Sequence, residues 1–163
     1  MILGLSISAF TIVHVLISLV GIVAGVMVAF GMVQGKRLPG WTALALLALI
    51  LTSVTGFFFP NTTFTPAQGV GIVSLVALAI ALAALYLFHV SGVWRWIYVV
   101  TAMAAIYLDC FVGVVQAFQK IGFLKGLAPT QSEPPFVVAQ IVVLAIFVVL
   151  GIGAIKKFHP HTA

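Results

Sequence analysis

The sequence predicts an all-α membrane protein, a bundle of five transmembrane helices, and three observations carry that expectation. Of its 163 residues 64% are hydrophobic and 6% charged, and mean hydropathy is +1.35, a balance foreign to water-soluble domains. The apolar residues fall into five runs, each long enough to cross a hydrocarbon layer of about 30 Å. The few Lys and Arg residues stand at the ends of those runs. There they act as orientation signals, so the net charge of +5 points to a lipid bilayer and not to nucleic acid. A single integral domain, residues 1–163, is expected, with spans at 2–33, 41–59, 69–90, 96–118 and 136–155.

The first run, residues 2–33, has no basic segment before it and far exceeds the apolar stretch of about 7–15 residues in a signal peptide, so it reads as a retained helix. Thr11, His14, Ser18, Gly21, Gly25 and Ala29 recur along it every three or four residues and form one small, polar face. Gly21 and Gly25 give a small-xxx-small spacing that permits close helix contact. Gln34-Gly35-Lys36-Arg37-Leu38-Pro39-Gly40 then makes a turn. The second run, 41–59, ends on Thr52, Ser53 and Thr55 followed by Phe57-Phe58-Phe59-Pro60, an aromatic cluster suited to a membrane interface. An uncharged turn, 61–68, contains the glycosylation-like triplet Asn61-Thr62-Thr63, in a loop too short to give that reading weight.

The third run, 69–90, carries a stripe of Ser74, Ala77, Ala81 and Ala84, and Gly92 turns the chain before Trp94-Arg95-Trp96. The fourth run, 96–118, holds Asp109, one of two acidic residues in the chain, and the single cysteine, Cys110. One cysteine excludes an intramolecular disulfide and a cysteine metal cluster; Cys110 reads as a small core residue. The loop 120–135 contains Pro129, Pro134 and Pro135, which forbid a regular helix across it. The fifth run, 136–155, ends at Lys156-Lys157, and His159 and His161 lie in a solvated tail. His89 reads as an interfacial histidine.

Lys36, Arg37, Arg95, Lys156 and Lys157 fall on one side of this topology, against Lys120 and Lys125 on the other. The excess marks the cytoplasm and places the N-terminus outside and the C-terminus inside.

Asp109 demands a partner, since a carboxylate at membrane depth costs about 2.5–3.5 kcal/mol on insertion scales. Thr101, Ala105, Asp109, Gly113 and Ala117 are each four apart, so the acid rides a small-residue stripe that suits the glycine face of span one. At ~1.5 Å per residue, His14 reaches a similar level from the other end. The expected site is a ligand or proton pocket open to the outer side, lined by His14, Ser18, Thr52, Thr55, Asp109, Gln116 and Gln140, with His14 and Asp109 sharing a proton. The structural alternative is an interhelical hydrogen bond that only fixes register.

Two membrane histidines raise the question of haem, which axial imidazoles hold on facing helices. His14 and His89 differ in depth by on the order of 15 Å, so haem is not favoured and the cofactor is unknown. The sequence has no phosphate-binding glycine loop, no His-Glu-x-x-His and no paired carboxylates, which leans away from an enzyme.

The stretches Leu51-Thr52-Ser53-Val54-Thr55-Gly56-Phe57-Phe58-Phe59-Pro60, Gly92-Val93-Trp94-Arg95-Trp96-Ile97-Tyr98-Val99 and Pro129-Thr130-Gln131-Ser132-Glu133-Pro134-Pro135-Phe136 resemble a group of small bacterial inner-membrane proteins of uncharacterised activity. The likeness runs over most of the chain from Gln34 onward. It implies a bacterial inner-membrane location, and neither an activity nor a site residue.

The functional expectation is a non-enzymatic binding or accessory protein, a homo-oligomer or a subunit of a larger membrane complex, using lipid-facing helices and the 129–135 loop for contact. The rival is a small proton-linked transporter using His14 and Asp109, and a third reading is a haem or quinone redox membrane protein.

Overall fold

The computed structural model describes residues 1–160, and within them the helix boundaries follow capping chemistry that hydropathy alone does not register. Helix α1 (Ile7–Val33) starts where Ser6 Oγ accepts the Ala9 N–H at 3.2 Å. Residues 2–5 are not helical, because Leu3 and Gly4 take positive φ values of 49° and 81° and the chain folds back through paired Ile2–Leu5 hydrogen bonds. Helices α2 (Pro39–Gly56), α3 (Pro66–Leu82) and α6 (Pro134–Lys157) each open on a proline, whose missing N–H costs nothing in a first turn. Thr65 and Gln68 add a reciprocal capping box to α3, satisfying two donors that would otherwise be stranded.

The expected spans therefore shift. The run 41–59 becomes Pro39–Gly56, with Phe57 to Phe59 beyond the helix. The run 69–90 becomes Pro66–Leu87, of which Ala83–Leu87 is a π turn. The run 96–118 lengthens to α4 (Val93–Lys120), and 136–155 to α6. The 120–135 loop holds a short helix, α5 (Gly122–Leu127), in the stretch before Pro129, where no proline interferes. Five of these segments are long and apolar enough to cross a membrane, and the protein is a helical, multi-pass membrane bundle.

Helices α1, α2, α3 and α4 pack each on the next, α4 returns to α1, and α6 lies along both α1 and α4. Four consecutive helices thus close a ring, and the fifth span covers the α1–α4 seam from outside. Small residues set the spacing: Ala24, Ala29, Ala81, Ala84 and Ala105 are almost fully buried, so backbones approach closely, as packing without a water-driven force requires. At Gly25 the α1 and α4 backbones approach so closely that a Cβ would stand 2.8 Å from Ile106 Cγ2. The α1 glycine face does meet the α4 stripe, with Gly113 against Ile22 as well. Most of α6 presents Val138, Ile141, Val149, Ile152 and similar side chains outward, the surface a lipid-facing helix needs.

The two ends of the bundle differ in charge. Lys36, Arg37, Arg95, Lys156 and Lys157 gather at one, called here the cationic end. Arg95 donates to the carbonyls of Ile155 at 2.7 Å and Phe158 at 2.9 Å, closing the terminus of α6 with a positive charge where the helix leaves unpaired carbonyls. The π turn lies here too: Phe88 N–H reaches back to the Ala83 carbonyl, and His89 and Val90 leave it at φ 49° and 57°. His89 is exposed, while the Phe88 and Trp94 rings stack at 3.8 Å. His159 is exposed; His161 lies outside the described residues.

At the opposite end, Glu133 gathers the proline loop. Its carboxylate accepts Thr130 N–H at 3.1 Å, Thr130 Oγ1 at 2.8 Å and Ser132 N–H at 3.1 Å. Partial desolvation raises the Glu133 pKa, but these hydrogen bonds together outweigh it and hold the group below its usual 4.5. A depressed folded pKa means the bonds contribute fully above the ordinary carboxylate range and are lost as pH falls through the lowered value. Amide exchange at Thr130 and Ser132 is thus expected to be slow at neutral pH and to lose its protection as pH falls below 4.5; the Glu133→Gln variant should show the weakened protection already at pH 7.

The α1–α4 contact yields a second test. Overpacking at Gly25 costs about 1–3 kcal/mol, only partly offset by about 1 kcal/mol of helix propensity. Gly151, on α6, has open space around it. In thermal unfolding in detergent, Gly25→Ala should lower the midpoint and Gly151→Ala should leave it unchanged or raise it.

Candidate functional site

Asp109 lies on the α4 stripe facing α1 and is 8% exposed. Ser18, on the glycine face of α1, donates to its Oδ1 at 3.2 Å. Its Oδ2 has no hydrogen-bond partner among the described residues and stands where a Cβ on Gly21 would meet it at 3.3 Å. Glycine at position 21 is what admits the carboxylate to this interface. No salt bridge forms there, so the acid is held by one hydroxyl and by space.

His14 sits one turn before Ser18 and turns to α2. Its Nδ1 lies 2.7 Å from Thr55 Oγ1, and Thr55 Oγ1 donates its one proton to the Leu51 carbonyl at 2.6 Å. With the Thr55 proton on that carbonyl, the tautomer that completes the hydrogen bond carries its proton on Nδ1. The Phe59 ring meets the imidazole edge-on at 5.2 Å, so a ring beyond the helix end holds the histidine in place. The expected proton-sharing pair of His14 and Asp109 is not what forms: each has its own hydroxyl partner on a different helix.

Between these two arrangements lies a cavity of about 80 Å³. His14, Thr52, Ser53, Gln68, Ser74 and Asp109 supply its polar lining, and Thr52 Oγ1 is buried there without a partner. Ala67 and Gln68 belong to the first turn of α3 and Phe57 follows the last turn of α2, so the mouth opens at the end opposite the cationic one. The volume takes a few water molecules and falls well short of the roughly 300–1,000 Å³ of an organic-ligand pocket.

Of the seven expected site residues, His14, Thr52 and Asp109 line the cavity, and Ser18 and Thr55 fix two of them by hydrogen bonds. Gln116, two turns along α4 from Asp109, does not line it. Gln140 is on α6, which contributes nothing to the cavity; its Nε2 donates to the Phe111 carbonyl at 3.2 Å and ties α6 to α4. Ser53, Gln68 and Ser74 were not among the expected site residues. Ser53 and Ser74 stood in a hydroxyl-rich and a small-residue stretch, and Gln68 in what reads as a turn, so only the α2–α3 packing reveals their common direction. No group of three or more His, Cys, Asp or Glu that could hold a metal ion occurs among the described residues.

Comparison with protein-family models, with curated proteins and with solved structures finds no match.

Removing the Ser18 hydroxyl would strand both carboxylate oxygens, at a cost of about 1–3 kcal/mol. Asp109→Asn keeps an acceptor for Ser18 and breaks no ion pair, so it should change stability by less than about 1 kcal/mol. Combining Ser18→Ala with Asp109→Asn should cost less than the sum of the two, a coupling of about 0.5–3 kcal/mol measurable by a double-mutant cycle.

Proposed function

We propose that the protein is a binding or accessory protein of a bacterial inner membrane, with its N-terminus outside and its C-terminus in the cytoplasm, whose Asp109 cavity takes up a proton and a few water molecules from the outer side. The observation that carries this reading is the unpartnered Asp109 Oδ2 beside a water-sized cavity. Intramembrane carboxylates of this kind mark proton and ion sites, and the cavity beside this one has room for a few water molecules. The orientation rests on the five-to-two excess of Lys and Arg at the cationic end, and the bacterial location on the resemblance of the 51–60, 92–99 and 129–136 stretches.

One observation favours binding over transport. Between the cavity and the cationic end the bundle is filled by Val28, Met32, Leu46, Leu78, Met103 and Ile106, all nearly fully buried. A proton-linked carrier using His14 and Asp109 needs a polar route through that layer, and this conformation has a packed apolar one.

In reconstituted liposomes under an imposed pH gradient, wild type and Asp109→Asn should therefore dissipate the gradient at the same basal rate. A flux present in wild type and lost in Asp109→Asn would instead establish the carrier. Proton uptake is read separately, by infrared difference spectroscopy: a carboxyl band that titrates with external pH should be present in wild type and missing in Asp109→Asn.

A further inference from the structure

A second cavity, of about 60 Å³, opens at the cationic end. Lys36 and Arg37 of the α1–α2 turn stand at it, Thr42 and Tyr98 form its buried hydroxyl side, Tyr86 of the π turn flanks it, and Met32 supplies apolar floor. We propose that this cavity binds the phosphate group of an acidic phospholipid, held between the α1–α2 turn and the π turn.

Charge is the first argument. The chain has only two acidic residues. Asp109 lines the other cavity and Glu133 caps the proline loop at the opposite end, so neither acidic side chain of the chain reaches Lys36 and Arg37. Arg95 is different, because its guanidinium already serves two carbonyls of α6. Two cations side by side at a cavity suit an anion with several acceptor oxygens, and a phosphate is the anion that a bilayer supplies at that level.

The backbone points the same way. Helix α2 begins beside Arg37 without a side-chain cap, its N-cap being Leu38, so its first N–H groups add partial positive charge at this end. Thr42 and Tyr98, 8% and 2% exposed, both line the cavity and bring hydroxyl groups to a wall that would otherwise be apolar. The π turn departs from regular helix where Leu85 and Tyr86 reach the cavity, a local distortion frequent at functional positions.

Depth separates a lipid from a free phosphate. Trp41, Tyr86 and Trp96 are all exposed around this end, in the pattern of aromatic side chains at headgroup level. Val28, Met32 and Leu85 continue the lining toward the bilayer interior, which suits the glycerol and acyl portion of a lipid and offers nothing to an inorganic ion.

Native mass spectrometry of the full chain, released from bilayers of phosphatidylglycerol and phosphatidylcholine in equal amounts, tests the assignment. The expected result is one retained phosphatidylglycerol per chain, with occupancy reduced about tenfold or more in Lys36→Gln/Arg37→Gln. Lys156→Gln/Lys157→Gln removes the same charge from the same end outside the cavity and should alter occupancy by less than about twofold. Equal losses in the two double variants would show diffuse attraction to an anionic surface and overturn the site. Displacement of the lipid by millimolar inorganic phosphate would overturn the lipid assignment. Lys36 and Arg37 are exposed, so both double variants should elute and unfold as wild type does. Thr42→Val, with the shape kept and the hydroxyl gone, should weaken retention without abolishing it, and unchanged retention would remove the hydroxyl wall from the site.

Discussion

The contact between α1 and α4 at Gly21 and Gly25 is the constraint on which the rest of the bundle depends. It places an Ile and an Asp of α4 directly against the α1 backbone, and it closes the ring of α1 to α4 that α6 then covers. A carboxylate in that seam costs about 2.5–3.5 kcal/mol on insertion scales. One hydrogen bond from Ser18 returns only about 0.6 kcal/mol in the membrane average, so the protein side chains leave most of the cost unmet. The adjoining cavity has the volume to admit water beside Thr52 Oγ1 and Asp109 Oδ2, which lack partners among the described residues. The acid and the cavity therefore account for each other: dry packing around Asp109 would be unstable, and a polar cavity without a charged group would have little reason to persist among Leu49, Leu108 and Val112.

That same seam explains what could be read from residue spacing. The i, i+4 repeat of Thr101, Ala105, Asp109, Gly113 and Ala117, and the matching small face of α1, are properties of single helices, and close packing needs both. The partner of each polar group is a property of the ring order instead. His14 and Ser18 are one turn apart, and four residues turn an α-helix by about 40° beyond a full circle. Since α1 stands between α2 and α4, that small rotation sends His14 to Thr55 and Ser18 to Asp109. Gln140 illustrates the same limit from another side, because nothing in the α6 sequence tells that this span lies outside the ring. The helix starts were legible in principle: Pro39, Pro66 and Pro134 serve as first-turn residues, and reading them only as breakers delays each start by two or three residues.

The cationic end shows how the backbone can be arranged at a membrane surface when acids are absent. Arg95 satisfies carbonyls that would otherwise face the interface, and Gly35, at φ 71°, lets the α1–α2 turn come within contact of the Lys157 carbonyl. Termini of α1, α2, α4 and α6 thereby join without an ion pair among the described residues. The positive charge at Lys36 and Arg37 is a feature of the composition as well as of the fold, since both acidic side chains lie elsewhere in the bundle.

The two cavities are separate sites. On α2, Thr42 borders one and Thr52 the other, ten residues and thus about 15 Å apart along the helix. Ala45, Leu46, Ala48 and Leu49 are buried between them, and α4 faces that interval with Val99, Ala102, Met103 and Ile106. A proton moves along water or along ionisable and hydroxyl groups, and the hydroxyl in this layer, that of Thr101, is turned back onto the Ile97 and Tyr98 carbonyls of its own helix. An exchange between Asp109 and the cationic side would require the α1–α4 contact to open, and Gly25 against Ile106 is the packing that resists it. That contact and the apolar layer behind it separate the Asp109 cavity from the cationic end in this conformation.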